Sequence, residues 1–93
     1  MSDSTQRREI FFSGRVQGVG FRYTARWIAQ RFAVGGYVQN LPDGRVRIVV
    51  EGTADEIDRF LAAIDAELGR YIRDKKEEIR PPVGESSTFE IRF

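Results

Sequence analysis

Residues 10–32 read IFFSGRVQGVGFRYTARWIAQRF, and within them the hydrophobic period changes from that of a strand to that of a helix. Ile10, Phe11 and Phe12 form an apolar run that stops at Ser13-Gly14, the pattern of a strand bounded by a breaker. Arg15 to Gly20 carries Gly18 and Gly20 and reads as a glycine loop. From there Phe21, Ala25, Ile28, Ala29 and Phe32 recur at i, i+4, i+7, i+8 and i+11, one face of a helix. Gly35-Gly36 is expected to close it.

Beyond this stretch, Tyr37 to Leu41 reads as a short strand and Pro42-Asp43-Gly44 as a turn, with proline pre-setting φ. Arg45 to Glu51 then alternates Val46, Ile48 and Val50 against Arg45, Arg47 and Glu51, so the pair predicts a hairpin with one wet face. Thr53 and Glu56 stand at the spacing of a capping box, threonine covering the N3 amide and glutamate reaching back, ahead of Ile57, Phe60, Leu61, Ile64 and Leu68. Gly69 is expected to stop that helix. Arg70 to Arg80 is dense in charge, with only Tyr71, Ile72 and Ile79 to bury. It reads as either a helical extension or an edge strand; an edge tolerates Lys75 and Lys76, which favours the strand. Pro81-Pro82-Val83-Gly84 breaks the chain, and Phe89, Ile91 and Phe93 alternate as a last strand.

The order is β-α-β-β-α-β plus a short extra strand, a split βαβ pattern of the α+β class. It predicts a ferredoxin-like plan, with two helices on one face of a mainly antiparallel sheet. In that plan the loop after Arg15 and the end of the Tyr37 to Leu41 strand reach one end of the sheet. Arg22 and Asn40 are thereby expected to meet.

The chain has 93 residues, the size of one compact domain, expected over 1–93 with residues 1–7 as a flexible N-terminal tail. At 41% hydrophobic and 31% charged residues it can build a packed core. The formal charge is +1, so no overall field draws nucleic acid or an anionic membrane. With no Cys and no His, disulfide frameworks, thiolate metal sites and serine, cysteine or zinc hydrolase schemes are excluded. Met1 to Arg8 lacks the apolar run of an export signal and no membrane-length apolar stretch occurs; a cytoplasmic location is expected.

Arg15-Val16-Gln17-Gly18-Val19-Gly20 enters the first turn of a helix, where amides lack intrahelical partners and the macrodipole is positive. Convergent N–H groups there, with the planar fork of Arg22, could cradle a phosphate. The spacing is neither G-x-G-x-x-G nor G-x-x-x-x-G-K-[ST], which rejects dinucleotide and P-loop readings, and plain turn geometry is the commoner use of such a loop. Asn40 can orient a water but cannot deprotonate it; it is equally an ordinary hairpin residue ahead of Pro42-Asp43-Gly44. Tyr23 and Trp27 lie i, i+4 on the face opposite Phe21 and Phe32 and read as surface packing or as a partner site.

Gly14-Arg15-Val16-Gln17-Gly18-Val19-Gly20-Phe21-Arg22, then Gly36-Tyr37-Val38-Gln39-Asn40, Asp43-Gly44, Glu51-Gly52 and the terminal Phe89-Glu90-Ile91-Arg92-Phe93 together resemble the acylphosphatase family over nearly the whole chain. The resemblance implies a ferredoxin-like enzyme that hydrolyses the mixed anhydride of a carboxylic acid and phosphate. In it Gln17, Gly18, Val19, Gly20, Phe21 and Arg22 bind the substrate phosphate, and Arg22 and Asn40 are catalytic, with Asn40 positioning the attacking water. No metal and no cofactor are expected. The implied partners are a small-molecule acyl phosphate and inorganic phosphate as product, for a monomeric chain without nucleic acid or membrane. The chain departs from the family after Gly69, where Arg70-Tyr71-Ile72 replaces the usual proline and small residues.

Two rival readings are weaker. An RNA-binding sheet displays stacking aromatics on its third strand, and Arg45 to Glu51 has none. The opening domain of a hydrogenase-maturation carbamoyltransferase would share the motifs, but a chain of this length with its own Met1 is expected to be a free-standing enzyme.

Overall fold

The computed structural model describes residues 4–84 and 88–93. Its first strand, β1 (Thr5–Gly14), is longer than the apolar run inside it. Arginines extend it: Arg7 pairs with Glu51, and Arg8 with Asp58 and Glu77. The expected tail over 1–7 is therefore corrected at Thr5, Gln6 and Arg7, which lie opposite Thr53, Gly52 and Glu51 in the sheet. Residues 1–3 of that tail lie outside the described residues.

The glycine loop leads into α1 (Phe21–Ala29), whose buried stripe is Phe21, Ala25, Ile28 and Ala29. Phe32 is not on this helix. The chain leaves it through tightened turns, Arg31 N donating to Ile28 O and Phe32 N to Ala29 O, and Phe32 reaches the core from there, edge-on to Phe60 at 6.3 Å. Gly35-Gly36 does not close the helix either; it opens β2 (Gly35–Asn40). At Gly36, φ is +137° and a Cβ would stand 1.9 Å from Val49 O, so the glycine serves close strand approach.

β2 and β3 (Val46–Thr53) form the expected hairpin, with Asn40 opposite Val46. Helix α2 (Ala54–Leu68) starts as expected, Thr53 Oγ1 accepting from Glu56 N at 3.2 Å. Glu56, expected to reach back to Thr53, instead accepts from Ala33 N at 2.8 Å and from Arg59 at 3.2 Å. A main-chain donor in the turn after α1 takes the place of the box's second bond. Gly69 stays right-handed at φ −57°, and the chain tightens through a 3-10 turn over Gly69–Tyr71 before β4 (Ile72–Arg80). The charged segment is thus the edge strand, antiparallel to β1. The last strand, β5 (Phe89–Arg92), runs parallel to β2.

The sheet order is β4-β1-β3-β2-β5, and the α+β, ferredoxin-like plan stands. One face supplies Ile10, Phe12, Val38, Ile48, Val50 and Phe89 to the two helices. Phe60, fully buried, fills the space between Phe32 and Phe89; a ring so placed contributes about 1.5–3 kcal/mol. The helix-free face is closed by charge. Glu9 receives Arg47 at 2.6 Å and Arg80 at 3.2 Å, while Arg92 and Arg47 lie over the Tyr37 ring at 3.7 and 5.6 Å. Glu51, 7% exposed, accepts from Val83 N at 2.7 Å, Gly84 N at 3.0 Å and Arg7 at 3.0 Å. Burial pushes its carboxyl up, but those donors outweigh burial and hold it below the ordinary carboxylate range. No helix among the described residues is long and apolar enough to cross a membrane.

Candidate active site

β1 and β2 are both antiparallel to β3, so they run parallel to each other and end at the same edge of the sheet. The loop after β1 is fastened at its ends by buried Val16 and Phe21, the Phe21 ring lying 5.3 Å from that of Phe12. Between these anchors Gln17, Gly18 and Gly20 are exposed and Val19 is half-buried. Gly18 and Gly20 take φ of +80° and +77°, and nothing stands within 4 Å of where either Cβ would project. Crowding does not demand glycine there. The left-handed backbone does, and it bends the loop over open space.

Gly20 occupies the N-cap of α1, with no side-chain cap and no acidic residue in the first turn. The first amides of α1 are therefore left without a side-chain acceptor, and the positive helix end is uncompensated. The other helix is treated differently: α2 carries Thr53, Asp55 and Glu56 at its start. Arg22, in that uncapped turn of α1, donates to Arg92 O at 3.5 Å and lies 4.6 Å over the Phe93 ring. Among the described residues no carboxylate pairs with it. No carboxylate of the described residues therefore neutralises its charge against an anionic ligand.

Asn40 is the last residue of β2. Its Oδ1 is buried without a hydrogen-bond partner among the described residues, a state that costs about 1–3 kcal/mol. Two bridges bring this residue to the loop and to Arg22. Gln17 Nε2 donates to Leu41 O at 2.8 Å and to Arg45 O at 3.0 Å, tying the loop to the turn that follows Asn40. On the other side Arg92, whose carbonyl receives Arg22, is in register with Gln39, the neighbour of Asn40. The structure thus gathers the loop, Arg22 and Asn40 at one corner. The Gln17 side chain is committed to the hairpin, so only its main-chain N–H is open to an anion.

The Arg92 carbonyl and the Phe93 ring belong to this corner, and the sequence reading gave neither a role in the site. Their signals in the sequence are the alternation Phe89, Ile91, Phe93, which marks a strand, and a place in the terminal stretch that resembles the family; neither speaks of Arg22. A cleft of about 270 Å³ between Arg7, Tyr37, Glu51 and Arg92 opens on the helix-free face and contains neither Arg22, Asn40 nor the loop. No group of three or more His, Cys, Asp or Glu residues able to hold a metal occurs among the described residues.

The family model for acylphosphatase matches residues 8–91. An acylphosphatase of Archaeoglobus fulgidus is 54% identical over 56 residues, 60% of this chain and 63% of that protein. An acylphosphatase of Aeropyrum pernix is 40% identical over 93 residues, covering 98% of this chain and 92% of the relative. The crystal structure of acylphosphatase from Bacillus subtilis superposes with a TM-score of 0.84 at 29% identity, over 95% of this chain and 99% of that one.

Proposed function

The chain belongs to the acylphosphatase family, hydrolases of carboxyl-phosphate anhydrides, and from that premise we propose that it cleaves acyl phosphates without a metal, using Arg22, the loop amides and Asn40. The main-chain N–H groups from Gln17 to Phe21 and the guanidinium of Arg22 hold the phosphoryl oxygens. Asn40 orients the water that attacks phosphorus. The bond between phosphorus and the acyl oxygen breaks, and the pair leaves as a carboxylate. A carboxylate is a good leaving group and needs no general acid, so the lack of His costs the reaction little. The proton of the attacking water passes to a phosphoryl oxygen, giving carboxylate and inorganic phosphate. In a loose phosphoryl transition state charge spreads over the equatorial oxygens, so positioning and electrostatic stabilisation carry the catalysis.

The observation that carries this reading is that an arginine in an uncapped helix start and an asparagine at a neighbouring strand end share one corner, the first without a carboxylate partner and the second with an orphaned buried oxygen among the described residues. A buried polar atom left unpaired calls for an explanation other than stability. The test is hydrolysis of benzoyl phosphate and of the monoester p-nitrophenyl phosphate in excess EDTA, by the wild type and by Arg22→Ala. Turnover of the acyl phosphate alone, with kcat/KM lowered about 10²- to 10³-fold in the variant, is the expected result. Turnover abolished by EDTA and restored by a divalent cation would sink the metal-free mechanism.

A further inference from the structure

Beside the phosphate corner lies a groove that the hydrolytic machinery leaves unused. Tyr23 and Trp27, 60% and 63% exposed, stand one helical turn apart on the outer side of α1. Tyr23 and Arg26 face Ile91 and Phe93 of the β5 segment across a cleft of about 470 Å³. The same Tyr23 and Arg26 share a second cleft, of about 250 Å³, with Trp27. The two clefts thus lie side by side across Tyr23 and Arg26, with Phe93 and Trp27 as further exposed rings and Glu90 as the one carboxylate in their lining. Arg31 lies 5.1 Å over the Trp27 ring and steadies it.

Scattered surface aromatics need no explanation, but this set is continuous with the site. Phe93 is both a wall of the groove and the ring under the Arg22 guanidinium at 4.6 Å. A phosphoryl group held by Arg22 therefore has its acyl substituent within reach of the mouth of the groove. Resting on the hydrolytic reading above, we infer that the groove of Tyr23, Ile91, Phe93 and Trp27 receives the acyl part of the substrate and selects aromatic or other bulky apolar acyl groups over acetyl. Ring faces offer such a group apolar burial and offset stacking, and Arg26 can lie over an aryl face as a cation. An acetyl group has no ring face to stack and little apolar area to bury.

The chain has a single tryptophan, so its fluorescence reports the groove directly. The test pairs two non-hydrolysable probes, benzoylphosphonate and acetylphosphonate, with the wild type, Tyr23→Ser, Arg22→Ala and Arg26→Gln, by titration calorimetry and Trp27 emission. Expected are at least about 5-fold tighter binding of the benzoyl probe, a change in Trp27 emission with that probe alone, and loss of the preference in Tyr23→Ser with acetylphosphonate affinity unchanged. Arg22→Ala should weaken both probes equally. Equal affinity for the two probes in the wild type overturns the groove, whether or not acyl phosphates are turned over. A preference for succinyl over benzoyl phosphate that vanishes in Arg26→Gln also overturns it, because the groove would then read a carboxylate. Turnover is scored separately with acetyl phosphate, so failure of the hydrolytic reading is distinguishable from failure of the groove.

Discussion

Replacing Asn40 by alanine should separate chemistry from stability. If Asn40 orients the attacking water, kcat falls about 10²-fold while KM changes little. The urea midpoint should hold or rise, because the substitution removes a buried oxygen that has no partner among the described residues. A loss of more than about 1 kcal/mol in the unfolding curve would mark the side chain as structural instead. Glycines divide in the same way. Gly36→Ala places a Cβ 1.9 Å from the main-chain oxygen of Val49, and a loss above about 4 kcal/mol, read as failure to accumulate folded protein, is expected. Gly18→Ala meets open space and carries only the strain of φ +80°, about 1–2 kcal/mol. Its main effect should be weaker phosphate binding, measured by product inhibition.

At the scale of elements, the segment after β4 is pinned across the helix-free face by Glu51, which accepts from Val83 N and Gly84 N. Because the folded carboxyl sits below its unfolded value, its stabilisation is fully present above the ordinary value of about 4.3 and is lost as pH falls through the lower folded one. Glu51→Gln should therefore flatten the dependence of unfolding free energy on pH below about 4.5 while lowering stability at neutral pH by about 1–3 kcal/mol. An acid transition identical to that of the wild type would exclude the role. This pinning also marks where sequence reading stops. Periodicity shows local choices well: the inner stripes of α1 and α2 and the hairpin around Pro42-Asp43-Gly44 are visible in it, whereas for Arg70 to Arg80 it leaves helix and strand open and only the tolerance of an edge for Lys75 and Lys76 favours the strand. Pairings made across the fold leave no such mark. Glu56 turns to Ala33 rather than to Thr53, Phe32 packs from a turn, and residues 5–7 join the sheet through partners far along the chain. At the site, the Gly18 and Gly20 loop, Arg22 and Asn40 are legible as residue types. The Gln17 bridge and the seat of Arg22 on Phe93 are not, because each depends on which strand ends share a sheet edge.

For the molecule as a whole, the strand order sets a folding sequence. The β2–β3 hairpin closes a short loop, whereas β1 and β4 join residues as distant as Glu9 and Arg80, 71 positions apart, and long closures come late and slowly. Ile48→Val, in the hairpin, should slow refolding, while Ile72→Ala, in β4, should mainly speed unfolding in a stopped-flow chevron. If Ile72→Ala slows refolding in proportion to the stability it removes, β4 belongs to the nucleus and the order is wrong. The same strand order bears on the ribosome. β1 is translated early, yet it is flanked by β3 and β4, neither of which exists when it leaves the exit tunnel. At roughly 5–20 residues per second, Phe11 and Phe12 wait several seconds for their last neighbour. The nascent chain is most in need of a holding chaperone while the phosphate loop and its arginine have already emerged.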